Sequence, residues 1–253
     1  GRASGSSGGT QTASLLAAGY TTTNVTNTET WNGSSWSETT EINTSRRGLT
    51  SLGHVNTAIL AAGGYTTTAV NNVENWNGSS WTEVAEITTT GYTGSGSGTS
   101  TEGLIMNVTP SVTNQYWNGS SWTELADTNV SHSPGSGASQ QGSYTAALIF
   151  GGADPSLSKT EVWDGSSWTE TSDLGTARRG IRGAGASSTA LAMAGEAPPS
   201  LTATEEFSFP PPTAAVLTEG DIFLSGGTTL KGFGKAAGIP AGTWATGGTL
   251  NAG

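Results

Sequence analysis

Six arginines, Arg2, Arg46, Arg47, Arg178, Arg179 and Arg182, are the side chains best suited to capture a ligand in this 253-residue chain, which holds only nine basic residues. A guanidinium presents a planar fork that meets carboxylate, sulfate or phosphate oxygens in pairs. Brought to one sector, the six would anchor an anionic glycan or a partner's carboxylate. The same forks serve equally inside a fold, donating to backbone carbonyls or a neighbouring Glu, and that use competes with the first. Tyr20, Tyr65 and Tyr92, with the unpaired Trp244, add aromatic faces on which sugar rings stack.

The carboxylates recur at fixed offsets. Glu38, Glu83, Glu124 and Glu170 each follow a Trp by two residues, and Glu29, Glu74 and Glu161 each precede one, with Glu205 in phase and Gln115 as the exception. Paired carboxyls roughly 5–9.5 Å apart would suit glycoside hydrolysis. A reaction centre is a single special place, however, whereas these residues repeat unit after unit, which predicts solvated outer strands that keep sheet edges soluble. His54 and His132 stand far apart and Cys is absent, so thiolate nucleophiles, disulfides and His-rich metal centres find no ligands. No catalytic residue, metal ligand or cofactor is assigned. A net charge of −10 opposes nucleic-acid binding, which needs a basic face. The apolar runs are too short to span a bilayer, so no membrane insertion is expected.

These side chains are set out by an internal repeat. Trp-Asn-Gly-Ser-Ser-Trp occupies 31–36, 76–81 and 117–122, and Trp-Asp-Gly-Ser-Ser-Trp occupies 163–168. A small apolar run ending near Gly precedes each pair at 14–20, 58–64 and 146–152, recurs at 190–196, and degenerates at 103–109. The unit is about 45 residues long, giving copies at about 1–45, 46–89, 90–133, 134–177 and 178–253. Arg2, Arg46 and Arg178 share one phase, where the third and fourth copies put Thr90 and Pro134. Short hydrophobic periods punctuated by Gly, Asn-Gly, Ser and Thr predict four strands per unit, in the second copy over 48–54, 57–62, 70–76 and 80–87. Asn-Gly accepts the positive φ angles of a tight hairpin, and the flanking Trp residues pair across it. The Gly pair lets the chain turn without a Cβ clash.

Four-stranded units repeated five times predict a β-propeller. The last copy departs from the pattern. Residues 211–241 read as an insertion that carries a hairpin over 220–234, and 242–246 supplies the outer strand. Both ends fall at one repeat phase, as in a closed ring or a longer tandem, and a homo-oligomer is compatible with either.

The apolar run ending in Gly-Gly, the following aromatic, the later Trp and the leading Arg resemble the kelch repeat. The Trp-Asn-Gly-Ser-Ser-Trp arrays are most similar to kelch-like arrays of structural and tail-fibre proteins of marine bacteriophages. The resemblance covers residues 1–209 and departs where Trp and Asn-Gly replace the usual Tyr and Pro of the outer hairpin. It implies an all-β, five-bladed kelch-like β-propeller of four-stranded blades with a C-terminal β-hairpin insertion. It also implies a non-enzymatic virion appendage, exposed and extracellular, that displays loops toward a bacterial surface glycan. The alternatives are a decoration or connector module contacting other virion subunits and, further off, a glycoside-cleaving enzyme.

Overall fold

The computed structural model describes residues 1–109, 112–133, 135–152, 155–197, 201–208, 222–225, 229–232 and 243–249. Blade one comprises β1 (Ser6–Thr10), β2 (Ala13–Ala17), β3 (Thr28–Trp31) and β4 (Trp36–Thr39). Blade two comprises β5 (Thr50–Val55), β6 (Ala58–Ala62), β7 (Val73–Trp76) and β8 (Trp81–Glu83). Blade three holds β9 (Ser95–Gly98), β10 (Gly103–Met106), β11 (Asn114–Trp117) and β12 (Trp122–Leu125), and blade four β13 (Gly137–Ala138), β14 (Ala147–Phe150), β15 (Thr160–Trp163) and β16 (Trp168–Glu170). In blade five, β17 (Arg182–Ala186), β18 (Thr189–Met193) and β19 (Ala203–Ser208) are followed by a separate hairpin, β20 (Ile222–Ser225) with β21 (Thr229–Gly232). β22 (Thr243–Thr249) then pairs with β19 and completes the sheet. All five blades are antiparallel meanders, so the fold is an all-β, five-bladed propeller. The boundaries expected for the insertion lie outside the described residues.

Strands in the second blade are shorter than their sequence pattern predicts, and β8 ends at Glu83. Beyond it the chain leaves the sheet, and Ile87 is buried in the layer between blades two and three. Four such inter-blade layers form the apolar core among the described residues. The second strands, flanked on both edges, supply much of it, and β10 and β14 are buried at every residue. The first strands pack side by side around the axis. They are rich in Gly and Ser, and at their closest approaches nothing larger fits: a Cβ at Gly96 would lie 2.0 Å from the Ser51 carbonyl oxygen, and one at Gly183 2.1 Å from that of Ala138. Backbone hydrogen bonds link the residues that lead into them, from Gly48 N–H to Ser4 O (2.8 Å), Thr93 N–H to Gly48 O (2.6 Å) and Ile181 N–H to Gly135 O (3.2 Å).

The Trp pairs face each other across the outer hairpins at 5.0–5.7 Å between ring centroids. The turn is the expected hairpin, with the positive φ confined to its glycine. It is a four-residue loop in which Gly33 alone has positive φ (94°), while the Asn32 Oδ1 accepts the N–H groups of Ser34 and Ser35, each at 3.0 Å. Asn77 and Asn118 repeat the arrangement, and Asp164 does so as an anion. Hydrogen bonds from the Ser167 backbone and from the Ser166 hydroxyl and backbone pull the Asp164 carboxyl down to about 2. Each first Trp donates its indole N–H to the loop between strands one and two of its own blade, at Gln11 O, Asn56 O, Ser100 O and Tyr144 O. The second Trp reaches the preceding blade or its connection, at Thr28 Oγ1, Ala85 O and Ala126 O for Trp81, Trp122 and Trp168.

Candidate functional site

The structure divides the six arginines into two groups with different work. Arg2, Arg46 and Arg178 turn into their own blades. Arg46 is fully buried; it ion-pairs with Glu74, equally buried, and donates to Gly63 O (2.8 Å), Ala61 O (3.2 Å) and Thr44 O (3.2 Å). Arg178 is fully buried against Glu205 (2.6 Å), Ala194 O and Ala203 O, and Arg2 meets Glu29 (2.9 Å), Leu16 O and Asn27 O. The Arg46 and Arg178 guanidiniums are thereby closed to a ligand.

Their carboxylate partners lie on third strands, not on solvated outer ones. Burial of Glu74 and Glu205 is tolerated because both oxygens of each have donors. Glu74 also accepts the N–H groups of Asn43 (2.7 Å) and Thr44 (3.2 Å), so it ties the connection from blade one onto blade two. Glu161 accepts Asn129 N–H (2.8 Å) and Val130 N–H (2.9 Å), and Glu205 accepts Gly175 N–H (2.6 Å). The glutamates expected beside the second Trp, Glu38, Glu83, Glu124 and Glu170, are exposed.

Blades three and four vary the tie in a chemically consistent way. The residues standing at the Arg46 position are Gly91 and His132, not Thr90 and Pro134: the carbonyls of Arg46, Gly91 and Arg178 accept equivalent hydrogen bonds from Gly19, Gly64 and Gly152. In blade three the cation is gone and the carboxylate with it, since Gln115 takes the Glu place and accepts Thr88 N–H (2.8 Å). In blade four the fully buried His132 sets Nε2 3.5 Å from Glu161 and Nδ1 2.8 Å from Gly151 O, the counterpart of Gly63 O. Burial pushes the Glu161 carboxyl up, but the His132 imidazole and the two backbone N–H groups outweigh it and hold the group below its ordinary value. The sequence does carry a signal for His132, as Asn129-Val130-Ser131-His132 parallels Asn43-Thr44-Ser45-Arg46.

Arg47 and Arg179, of the second group, stand at one end of the axis. There the chain leaves each second strand through residues of positive φ and bridges back to the start of the first, pairing Ala3 with Tyr20, Arg47 with Tyr65, Tyr92 with Thr109 and Arg179 with Glu196. This sets Arg47 between two rings, its guanidinium carbon 4.6 Å from the Tyr20 centroid and 4.9 Å from that of Tyr65. Tyr92 meets Tyr65 edge to face at 5.3 Å. Asn24 completes the cluster, accepting from Arg47 (3.3 Å) and donating to Tyr65 O and Thr66 O (3.0 Å each). Four residues singled out from sequence, Arg47, Tyr20, Tyr65 and Tyr92, thus come together, and Tyr20 is 37 % exposed. Among the described residues no carboxylate pairs with Arg47.

Arg179 occupies the corresponding rim of blade five, 3.5 Å from Glu196. Arg182 stands apart, on the wall of an axial cavity of about 370 Å³ to which all five blades contribute. The Trp244 side chain lies outside the described residues. Scanned against protein-family models the sequence matches none, and a search of curated proteins returns no significant similarity.

Proposed function

We propose that this chain is a non-enzymatic binding module of a virion appendage, of the kelch-like bacteriophage tail-fibre or surface-protein kind, that attaches to a bacterial surface glycan. The observation that carries the reading is the rim cluster. Arg47 offers a cation without a carboxylate partner among the described residues, Tyr20 and Tyr65 flank it with aromatic surface, and Tyr92 extends that surface from Tyr65. Sugars use both features, the apolar ring face packing on tyrosine and an acidic substituent meeting guanidinium. The buried glutamates, tied to Arg, His and backbone N–H groups, are engaged in holding blades together, which favours binding over hydrolysis. The repeat resemblance supports the virion setting and a place on its extracellular surface.

The test is retention of the purified chain on host envelopes, with and without their surface polysaccharide, for the wild type and for Arg47→Gln and Tyr20→Ala. Saturable retention that is lost with the polysaccharide and weakened in both variants is the expected result. Retention untouched by either variant refutes the rim as the contact. A second reading, a connector that contacts other virion subunits or a second copy, is favoured by Trp36. It is 48 % exposed on β4, where its counterparts Trp81, Trp122 and Trp168 are buried.

A further inference from the structure

The register that begins the first strands holds a small residue in four of the five blades, and in blades three, four and five the residue at that register lines the axial cavity. Ser6, Thr50, Ser95 and Gly137 open the paired part of their first strands, each opposite the last residue of the second strand or its neighbour, and Arg182 holds that register in blade five opposite Met193. At that register Arg182 sets a long cation on a wall lined mostly by Gly, Ser, Thr and Ala, with Leu49, Gln140, Ile181, Arg179 and Glu196 as its larger residues. Its side chain is exposed to the cavity, and its one hydrogen bond, to the adjacent Ile181 carbonyl, is long at 3.4 Å. Among the described residues no carboxylate lies within ion-pair distance of it. The other charges on the wall are Arg179 and Glu196, which pair with each other at 3.5 Å at the rim, so the wall keeps an excess positive charge in a protein of net charge −10.

We propose that this cavity is a second binding site, distinct from the tyrosine rim, for a compact oxyanion held by Arg182. The volume, about 370 Å³, falls within the range of roughly 300–1,000 Å³ typical of small-ligand pockets. A guanidinium meets a carboxylate or sulfate through parallel charge-assisted hydrogen bonds, and the fork of Arg182 has no other strong acceptor to give up. The mouth is open beside Gly180, where a Cβ would meet nothing within 4 Å. The chemistry is shared by a free inorganic anion and by the acidic group of a sugar. The site does not rest on the rim reading, since none of Tyr20, Arg47, Tyr65 and Tyr92 lines it.

The experiment titrates the whole ¹⁵N-labelled chain with sodium sulfate and, separately, sodium glucuronate, with glucose and sodium chloride at matched ionic strength as controls. Amide shifts of Gly48, Gly94, Gly180 and Gly183, which line the wall, are the readout. Saturable shifts with sulfate identify a free-oxyanion site, saturable shifts with glucuronate identify an acid-sugar site, and neither control reproduces them. Arg182→Gln weakens the binding about tenfold or more, the consequence of losing a charge-assisted contact, while its spectrum otherwise stays native. Gly180→Asn weakens it too by filling the mouth, Asn being tolerant of the left-handed backbone there (φ 65°). Arg47→Gln leaves it within about twofold, which separates this site from the rim. Absence of saturable shifts with both anions, or equal binding by Arg182→Gln, overturns the proposal.

Discussion

Replacing Arg46 by Ala tests whether the buried ties hold the blades or merely decorate them. The substitution leaves Glu74 fully buried without its cation and removes the donor from Gly63 O, Ala61 O and Thr44 O. Breaking a buried ion pair by deleting one partner costs about 3–5 kcal/mol. The lower end applies here, because Asn43 N–H and Thr44 N–H stay on the carboxylate. In urea, with a slope of about 3 kcal/mol per M, that is a fall of about 1 M in the unfolding midpoint. Blade three supplies the control, since Gln115 and Gly91 there dispense with both charges. Arg46→Ala combined with Glu74→Gln removes the stranded charge but keeps an acceptor for the backbone. It recovers about 1–2 kcal/mol over the single variant. The assay is equilibrium urea unfolding followed by tryptophan fluorescence, with slopes compared between variants. A midpoint shift below about 0.3 M for Arg46→Ala, or a double variant no better than the single, refutes the reasoning.

Two further outcomes follow from other parts of the fold. Trp81→Ala removes a buried indole and its hydrogen bond to Thr28, and costs about 3–5 kcal/mol, whereas Trp36→Ala, at a site 48 % exposed, costs about 1 kcal/mol or less; thermal melts of both check the contrast. Glu161, held below its ordinary value in the folded state, contributes stability that is present above the unfolded carboxyl value of about 4.3 and is lost as pH falls through the folded one. Melting temperature therefore declines on acidification below that point, and Glu161→Gln makes the decline shallower; a variant with an unchanged acid limb removes Glu161 from the account.

The architecture was legible because Trp pairs at a 41–46-residue spacing mark the outer hairpin in four of the five blades, and the Gly-ending runs mark second strands. The ties were not, for two physical reasons. Glu74 and Glu161 sit in four-residue third strands, Val-Glu-Asn-Trp and Thr-Glu-Val-Trp, that are buried on both faces and show no alternation of apolar and polar residues to reveal that they point inward. The phase of the cations was also blurred, because the path from His132 to Gly137 is one residue longer than the equivalent path from Arg46 to Thr50. That single extra residue hid the equivalence of His132 and Arg46. The rim was half legible: Arg47 and the tyrosines stood out by type, while their meeting required the bridge that folds Tyr65 back onto Arg47. Asn24, which holds Arg47 and the blade-two backbone together, gave no sign of itself among the many Asn and Thr residues of the chain.

The bare strands around the axis also partition the chain by its tolerance to change. At Gly96 and Gly183 one added carbon collides with the backbone of the adjoining sheet, so those positions are closed to every other amino acid while the ring keeps its present diameter. The outward turns at Asn32, Asn77, Asn118 and Asp164 are anchored by contacts within their own four residues, and the blades do not depend on what else the tips carry. Heritable variation is thereby channelled to the circumference and the rim. A lineage founded on this chain changes what it touches there, and leaves untouched the geometry by which five sheets meet.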